Sequence, residues 1–383
     1  MAVKGPLSGI TVVDLSRILA GPYCTFLMAQ LGARVIKVEA PGKGDDAREY
    51  GPFRGGVSTY FASVNRGKQS IALDMRKDAD KRILDKLLEK ADVLVENFRP
   101  GTMEKFGYGW DTLHPRYKRL IYAAASGFGH SGPSSSNPAY DMVVQGLGGI
   151  MSVTGHKGQP PVRIGMSIGD IGAGLYTAIA VNAALLHREK TGEATKIDIA
   201  MFDCQLALLE NAIMRYTVTG EIPGPLGARH PTITPFEAFS TSDNYIIIAA
   251  GNDALFKQLC EALGLPEMAR NPDYASNDLR LRNEPQLKAE IELVLRAKPA
   301  AFWLDLFAKA GIPSGPINNI AQALAHPQVE ARDMLVTVND PAAGPLKLAG
   351  NPLKISGFAG PKAHDPAPKL DADREAILKE LGL

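Results

Sequence analysis

Ile10-Thr11-Val12-Val13-Asp14-Leu15, Ser16-Arg17-Ile18-Leu19-Ala20-Gly21-Pro22 and Arg34-Val35-Ile36-Lys37-Val38-Glu39 decide the fold. The first and third runs are β-branched and apolar, as strands require. Between them a turn opens a helix that ends near Leu31-Gly32, glycine being suited to the residue just past a helix end. Strand, helix and strand within about thirty residues make a βαβ unit, so a parallel sheet starts the chain.

Outward from this unit the alternation continues. Ser70–Asp74, Ala91–Asn97, Leu120–Ala125 and Thr195–Ala200 read as strands, and Asp78–Lys90 as a helix. The pattern predicts an α/β fold with an open, doubly wound (Rossmann-like) parallel sheet. Ligands of such sheets bind beyond the carboxyl ends of the strands. The loops expected there are Ser16–Pro22, Ala40–Arg48, Asn97–Gly101 and Ser126–Gly132, and the polar run Ala40–Arg54 reads as one long loop. Helices are expected over Tyr140–Thr154, Asp170–Arg188 and Met201–Val218. Thr219–Pro235, rich in glycine and proline, reads as a linker. The predicted organisation is a large domain over 1–218, a linker over 219–235, a smaller α+β domain over 236–325, and a segment over 326–383 that returns to the large domain.

Composition narrows the function classes. The 383 residues are 45% hydrophobic and 22% charged, within the globular range. Forty-two basic against 41 acidic residues leave a net charge of +1, which argues against a general nucleic-acid or membrane binder. Cys24, Cys204 and Cys260 form no CxxC pair, and the seven histidines, from His114 to His364, never take the i,i+4 spacing of a metal helix, so neither zinc nor disulfides are expected. Met1–Leu7 lacks the apolar core of a signal peptide, and Ile171–Leu186 reads as too short to span a bilayer, so a cytoplasmic location is expected.

The chemistry concentrates in Gly165-Met166-Ser167-Ile168-Gly169-Asp170-Ile171-Gly172-Ala173-Gly174-Leu175-Tyr176. Glycines around one carboxylate leave room for a ligand, and the start of a helix favours an ionised Asp170. An accessible ionised aspartate can act as a nucleophile; the alternative reading is an N-cap. The same stretch contains G-x-S-x-G centred on Ser167, the nucleophile elbow of α/β-hydrolases. Against a hydrolase, no HGGG-type oxyanion segment occurs early in the chain, and His230 and His326 lie in no diagnostic context. Gly127–Gly132 spells G-x-G-x-x-G after a strand, but Pro133, three serines and Pro138 exclude the immediate helix that a pyrophosphate fingerprint needs. Arg17, Arg66, Lys68, Arg99 and Lys105 lie in or beside the ligand-side loops, where cations suit a phosphate-bearing ligand.

Taken together these residues identify a resemblance. The motifs are Asp14–Pro22, Leu31–Glu39, Gly44-Asp45-Asp46-Ala47-Arg48, Asn65-Arg66-Gly67-Lys68, Glu96-Asn97-Phe98-Arg99-Pro100-Gly101, Pro138-Ala139-Tyr140-Asp141 and Ala310–Pro316. Over nearly its whole length the chain resembles the class III coenzyme A transferases, the family of formyl-CoA:oxalate and carnitine CoA-transferases that also includes α-methylacyl-CoA racemases. The resemblance implies that Asp170 attacks an acyl-CoA thioester and passes through an aspartyl acyl anhydride and an aspartyl-CoA thioester. It implies CoA contacts at Ile18, Ala20, Lys68, Asn97, Phe98 and Lys105. A phosphate-gripping cation of some members is Ala40 here, with Arg48 or Lys43 as replacements. Backbone N–H groups of the glycines, Gly169 among them, are expected to face substrate oxygens, and the glycine-loop lid of some members corresponds to Ala249–Asp253, with Gly251 its one glycine. No prosthetic group or metal is implied, coenzyme A entering only as substrate, and the family fold is an interlocked homodimer.

Tyr140 occupies the place of the racemases' histidine beside the catalytic aspartate. Moving a proton between the faces of an α-carbon takes two acid/base groups, and a phenol of pKa near ~10 serves poorly, so a transferase is expected rather than a racemase. Oxalate-specific members carry glutamine where Leu19 stands. A different dicarboxylic acceptor, such as succinate, malate, itaconate or mesaconate, is therefore expected, with Arg17 or Arg48 pairing with the second carboxylate.

Overall fold

The computed structural model of the chain describes residues 5–358 and 365–383; Met1–Lys4 and His364 lie outside them. The βαβ unit forms as expected: β1 (Thr11–Asp14), α1 (Ala20–Gln30) and β2 (Arg34–Glu39). The expected loop Ala40–Arg54 holds more structure than its composition suggests. It contains a short 3-10 turn at Asp46–Glu49 and the first strand of a hairpin, β3 (Phe53–Arg54) with β4 (Val57–Ser58). There follow α2 (Thr59–Asn65), β5 (Gln69–Ala72), α3 (Asp78–Lys90), β6 (Val93–Glu96), α4 (Thr102–Phe106), α5 (Trp110–Arg116) and β7 (Ile121–Ser126). Then come α6 (Asp141–Leu147), α7 (Ile168–Thr191), β8 (Lys196–Ala200), α8 (Met201–Leu208) and α9 (Glu210–Thr219).

Six strands pair in the order β5-β2-β1-β6-β7-β8, every pair parallel. Numbered by their own succession this order is 3-2-1-4-5-6, the doubly wound arrangement, and the winding reverses between β1 and β6. Val12, Val13, Val93, Leu94, Val95 and Ile121 are wholly buried. Both faces of the sheet are covered, so these strands lack the alternation of a one-sided sheet. Each such side chain contributes about 1.5–3 kcal/mol over an exposed one.

Three helix boundaries differ from expectation. The helix expected over Tyr140–Thr154 stops at Leu147, where Gly148 and Gly149 follow and Gly149 takes φ +84°. The helix expected over Met201–Val218 breaks at Leu209, whose ψ of 23° is not helical. α7 starts two residues before Asp170 and runs 24 residues to the left-handed Gly192, longer than the apolar stretch suggests. By length and hydropathy it could cross a membrane, yet half of its apolar window is buried. Ala178, Val181, Ala184 and Leu185 join the core formed with α1 and β7.

The chain divides into two compact units. One comprises Met1–Ser152, Arg163–Pro223 and Pro327–Leu383; the other comprises Val153–Val162 and Gly224–His326. The first carries the parallel sheet and, near its end, the hairpin Leu335–Asp340/Gly344–Ala349. The second is a three-stranded antiparallel sheet of Phe236–Ser240, Tyr245–Ala249 and Ser314–Pro316 with helices including Asp253–Ala262, Glu284–Leu295 and Ala300–Lys309. Phe239, Ile246, Ile248, Leu259, Ile291 and Phe307 form its own core. All three cysteines are buried and unpaired.

Candidate active site

The crevice at the switch point lies beyond the carboxyl ends of β1 and β6. Asn97 bridges it: its Oδ1 accepts the Arg17 N–H and its Nδ2 donates to the Arg17 carbonyl, both at 2.8 Å. The Arg17 guanidinium lies over the Phe98 ring at 5.5 Å and pairs with Asp46 at 3.0 Å, half of the side chain remaining exposed. Leu19 and Ala20 open α1 and are buried. Arg17, Ile18, Leu19, Ala20, Asn97 and Phe98 are thus gathered at one crevice, with the exposed Lys105 on α4, the helix that follows the Asn97 loop.

Lys68, Arg48 and Arg66 point elsewhere. The Lys68 ammonium, wholly buried, donates to Asp14 (3.0 Å), Thr25 Oγ1 (2.7 Å), Asn65 Oδ1 (2.9 Å) and the Pro22 carbonyl (3.1 Å). Three N–H bonds already shared among four acceptors leave none directed at a ligand. Burial pushes its pKa down to about 8, with Asp14 opposing. Arg48 forms a two-point pair with Glu39 at 2.7 and 2.7 Å and covers Phe61 at 3.8 Å. Arg66 is buried over Phe26 and donates to the Ala349 carbonyl. These cations brace the fold around α1 and β2.

Asp170 occupies the first turn of α7. The N-cap position belongs to Ser167, whose side chain caps nothing, so the capping reading of Asp170 is corrected. The residue before it is tied down: Asp141, first residue of α6, accepts the Gly169 N–H at 2.8 Å through Oδ1 and the Gln145 amide at 2.8 Å through Oδ2. Gln145 in turn accepts the Ile164 N–H at 2.9 Å. Among the described residues no donor holds the Asp170 carboxylate itself. Burial, and then the charge of Asp141, push its pKa from 3.8 to about 7. That disfavours ionisation by about 4 kcal/mol, more than the ~0.3–1 kcal/mol a helix end returns. The helix start therefore does not keep Asp170 ionised, as the sequence alone suggests.

Two of the four glycines of this stretch serve close packing. A Cβ on Gly169 would lie 2.7 Å from Val144 Cγ2, and one on Gly174 would lie 2.7 Å from the Ala20 carbonyl oxygen. The Gly169 N–H is engaged by Asp141 rather than free for a substrate oxygen. Only Gly165, with nothing within 4 Å of its would-be Cβ, is open in the manner expected of the whole stretch. In the second unit, Gly251 is required because a Cβ there would meet Ile233 Cγ2 at 2.0 Å, and Asn252 after it caps the helix from Asp253.

Phenols complete the surroundings. Burial and the nearby Asp170 push the Tyr60 hydroxyl up to about 12, so it stays a hydrogen-bond donor at working pH. Tyr50 meets Tyr60 edge-on at 5.7 Å, and Tyr140, 69% exposed, precedes α6. Sequence reading passes over Asp141, Gln145 and Tyr60 as site residues. Asp141 and Gln145 are spaced i,i+4 at a helix start, a signal available in the sequence; Tyr60 carries none. Ser167 makes no side-chain hydrogen bond to a histidine among the described residues.

Asp141 raises Asp170 by like charge, so Asp141→Asn is expected to move the acid limb of the kcat/KM–pH profile to lower pH. Burial raises Asp170 more than Asp141 does and persists in the variant, so the limb stays above that of a free carboxylate. A limb that does not move, or moves up, contradicts the assignment.

Comparison with known proteins bears on the family of the whole chain. The model of CoA-transferase family III matches residues 7–374. The chain is 45% identical over 378 residues to an acetyl-CoA:oxalate CoA-transferase of Acetobacter aceti, covering 98% of this chain and 96% of the relative. It is 38% identical to a succinyl-CoA:mesaconate CoA-transferase of Haloarcula hispanica, covering 99% and 97%. The crystal structure of a CAIB/BAIF family protein from Brucella suis, 40% identical, superposes with a TM-score of 0.86 over 99% of this chain and 100% of that one.

Proposed function

The chain belongs to CoA-transferase family III and is an enzyme of the CoA-transferase type; from that premise we propose that Asp170 carries the CoA between an acyl-CoA and a carboxylic acid as a covalent intermediate. The observation that supports this most is a mostly buried carboxylate that no donor holds among the described residues, with the preceding Gly169 N–H tied to Asp141.

In the first step an Asp170 oxygen attacks the thioester carbonyl, the C–S bond breaks, and CoA thiolate leaves an aspartyl acyl anhydride. The thiolate then attacks the Asp170 carbonyl carbon and expels the donor carboxylate, giving an aspartyl-CoA thioester. The acceptor carboxylate attacks that thioester and releases thiolate, forming a second anhydride. Thiolate attack on the acceptor's carbonyl frees acceptor-CoA and the Asp170 carboxylate. Each step conserves a single negative charge and moves no net proton, so the phenols of Tyr60 and Tyr140 serve as donors to developing oxyanions. Splitting one exchange into four displacements is what a covalent nucleophile contributes.

The acceptor is read as a dicarboxylic acid. Arg17, half-exposed at the crevice, is the cation a second carboxylate would meet, whereas Arg48 is engaged by Glu39. Leu19 argues against oxalate, but a relative named for oxalate is 45% identical, so oxalate belongs in the acceptor panel. Arg17→Ala is expected to raise KM for dicarboxylate acceptors about tenfold, the loss of one charge-assisted contact, and to leave monocarboxylates unchanged. Equal effects on both classes remove Arg17 from acceptor recognition.

A homodimer fits the surface of the first unit. Leu175, Ile179 and Leu186 on α7 and Ile213, Met214 and Val218 on α9 are exposed, and α9 buries none of its residues. An apolar face of this kind marks an interface, and light scattering is expected to give twice the 41.0 kDa chain mass.

The reaction class is tested by following radiolabelled CoA transfer and α-carbon deuterium exchange together. Transfer to a carboxylate without exchange supports the transferase; exchange without transfer replaces it with a racemase.

A further inference from the structure

The backbone of three successive crevice residues is held by side chains from four different places in the chain. The Ser16 N–H donates to Asp14 Oδ1 at 3.0 Å, and the Ser16 carbonyl accepts from Lys37 Nζ at 2.7 Å. Asn97 takes both polar groups of Arg17 at 2.8 Å. The Ile18 N–H donates to Asp45 Oδ1 at 3.0 Å. Ile18 has φ +68°, left-handed backbone that a β-branched residue adopts only under constraint. The conformation is unfavourable for an L residue with a branched Cβ, so it persists only where the surroundings impose it.

Asp45 is placed to impose it. Its Oδ1 also accepts the Ala47 N–H at 2.9 Å, and its Oδ2 pairs with Lys37 at 2.8 Å, the two side chains being 1% and 0% exposed. Its own N–H donates to Glu39 Oε2 at 3.0 Å, and Arg48 holds that carboxylate. Asp45 therefore ties the loop after β1 to the loop after β2, through Ile18 directly and through Lys37 to Ser16.

We propose that Asp45 is a positioning residue for the acyl-CoA substrate: it holds Ile18 left-handed and so fixes the shape of Ser16–Leu19 before the thioester arrives. The proposal rests on the reading of this crevice as the acyl-CoA site. A loop held in its binding shape in advance spares the ordering cost on association, so the effect falls on substrate affinity rather than on the chemical step.

The test uses the full-length enzyme with a saturating acceptor. Asp45→Ala is expected to raise KM for acyl-CoA at least tenfold with kcat within threefold and the acceptor KM unchanged. Asp45→Asn keeps an acceptor for the Ile18 N–H while losing the charge opposite Lys37, so its acyl-CoA KM is expected within threefold of the parent although its Tm falls. Should Asp45→Ala not fold, Ile18→Pro gives the same answer with the Asp45–Lys37 pair intact. Proline has no N–H and cannot take positive φ, so its KM is expected at least tenfold above that of Ile18→Ala, which removes the same side chain but keeps the N–H. Equal KM values for Asp45→Ala and the parent, for Asp45→Ala and Asp45→Asn, or for Ile18→Pro and Ile18→Ala overturn the proposal. A parent enzyme that transfers no CoA overturns the functional reading instead.

Discussion

Asp170→Ala is expected to lower kcat/KM by at least about 10⁴-fold, the scale on which a covalent nucleophile acts, while the protein becomes more stable above neutral pH. Both effects come from one environment. The carboxylate's folded pKa of about 7 exceeds its ordinary 3.8, because burial and Asp141 oppose its charge. Below pH 4 the folded and unfolded states both hold the proton, and Asp170 makes no difference. Between 4 and 7 the unfolded chain releases the proton while the folded one retains it, so stability falls as pH rises, by up to about 4 kcal/mol. Above 7 the loss levels off. Removing the group removes that loss, so Asp170→Ala is expected to gain Tm at pH 8 and little at pH 4. A variant that loses activity and also loses stability at pH 8 would show Asp170 to be a structural carboxylate. The same pKa makes the parent's kcat/KM rise with pH through about 7, since the nucleophile is the ionised form.

The second large effect is on stability. Asp14 stands at the end of β1, wholly buried, where it accepts from the Ser16 N–H and hydroxyl, Thr25 Oγ1 at 2.6 Å and Lys68 at 3.0 Å. Burial opposes its charge, but Lys68, Lys37 and the hydroxyl donors outweigh it and bring the pKa down to about 2. Its contribution is present above pH 4 and lost as pH falls toward 2. Asp14→Ala leaves Lys68 buried without a carboxylate, which costs about 3–5 kcal/mol. In the double variant Asp14→Ala/Lys68→Met no charge remains stranded at that point, so urea denaturation is expected to show a loss well short of the sum of the single losses. Additive losses would mean that the two groups act separately.

Much of the sheet is legible in the sequence. Strand and helix periodicities locate β1, α1, β2, β6, β7 and β8, because a sheet covered on both faces demands continuous apolar runs that composition alone displays. Their order across the sheet comes from the packed structure, since doubly wound sheets take more than one order. The sequence puts the loops carrying Arg17, Ile18 and Asn97 on the ligand side, and the structure makes Arg17 and Asn97 neighbours although eighty residues separate them. Glycine punctuation at Gly148 and Gly149 is readable but outweighed by the apolar run around it. The start of α7 reads two residues late, which turns Asp170 into a cap it is not. Charge partners are the least legible feature. Lys68 and Arg48 have the composition of ligand-gripping cations, but Asp14 lies 54 residues from one and Glu39 nine from the other. Only the packed structure brings these carboxylates close enough to claim them. The raised pKa of Asp170 is hidden for the same reason, since it depends on burial and on Asp141 across the chain.

The most direct test is to incubate the enzyme with an acyl-CoA, quench with hydroxylamine, and map the modified peptide by mass spectrometry. The expected product is a hydroxamate on the Asp170 side chain, formed only when acyl-CoA is present and absent from Asp170→Ala. No hydroxamate at Asp170 under turnover, or a fluorophosphonate adduct at Ser167 that abolishes CoA transfer, would contradict the account.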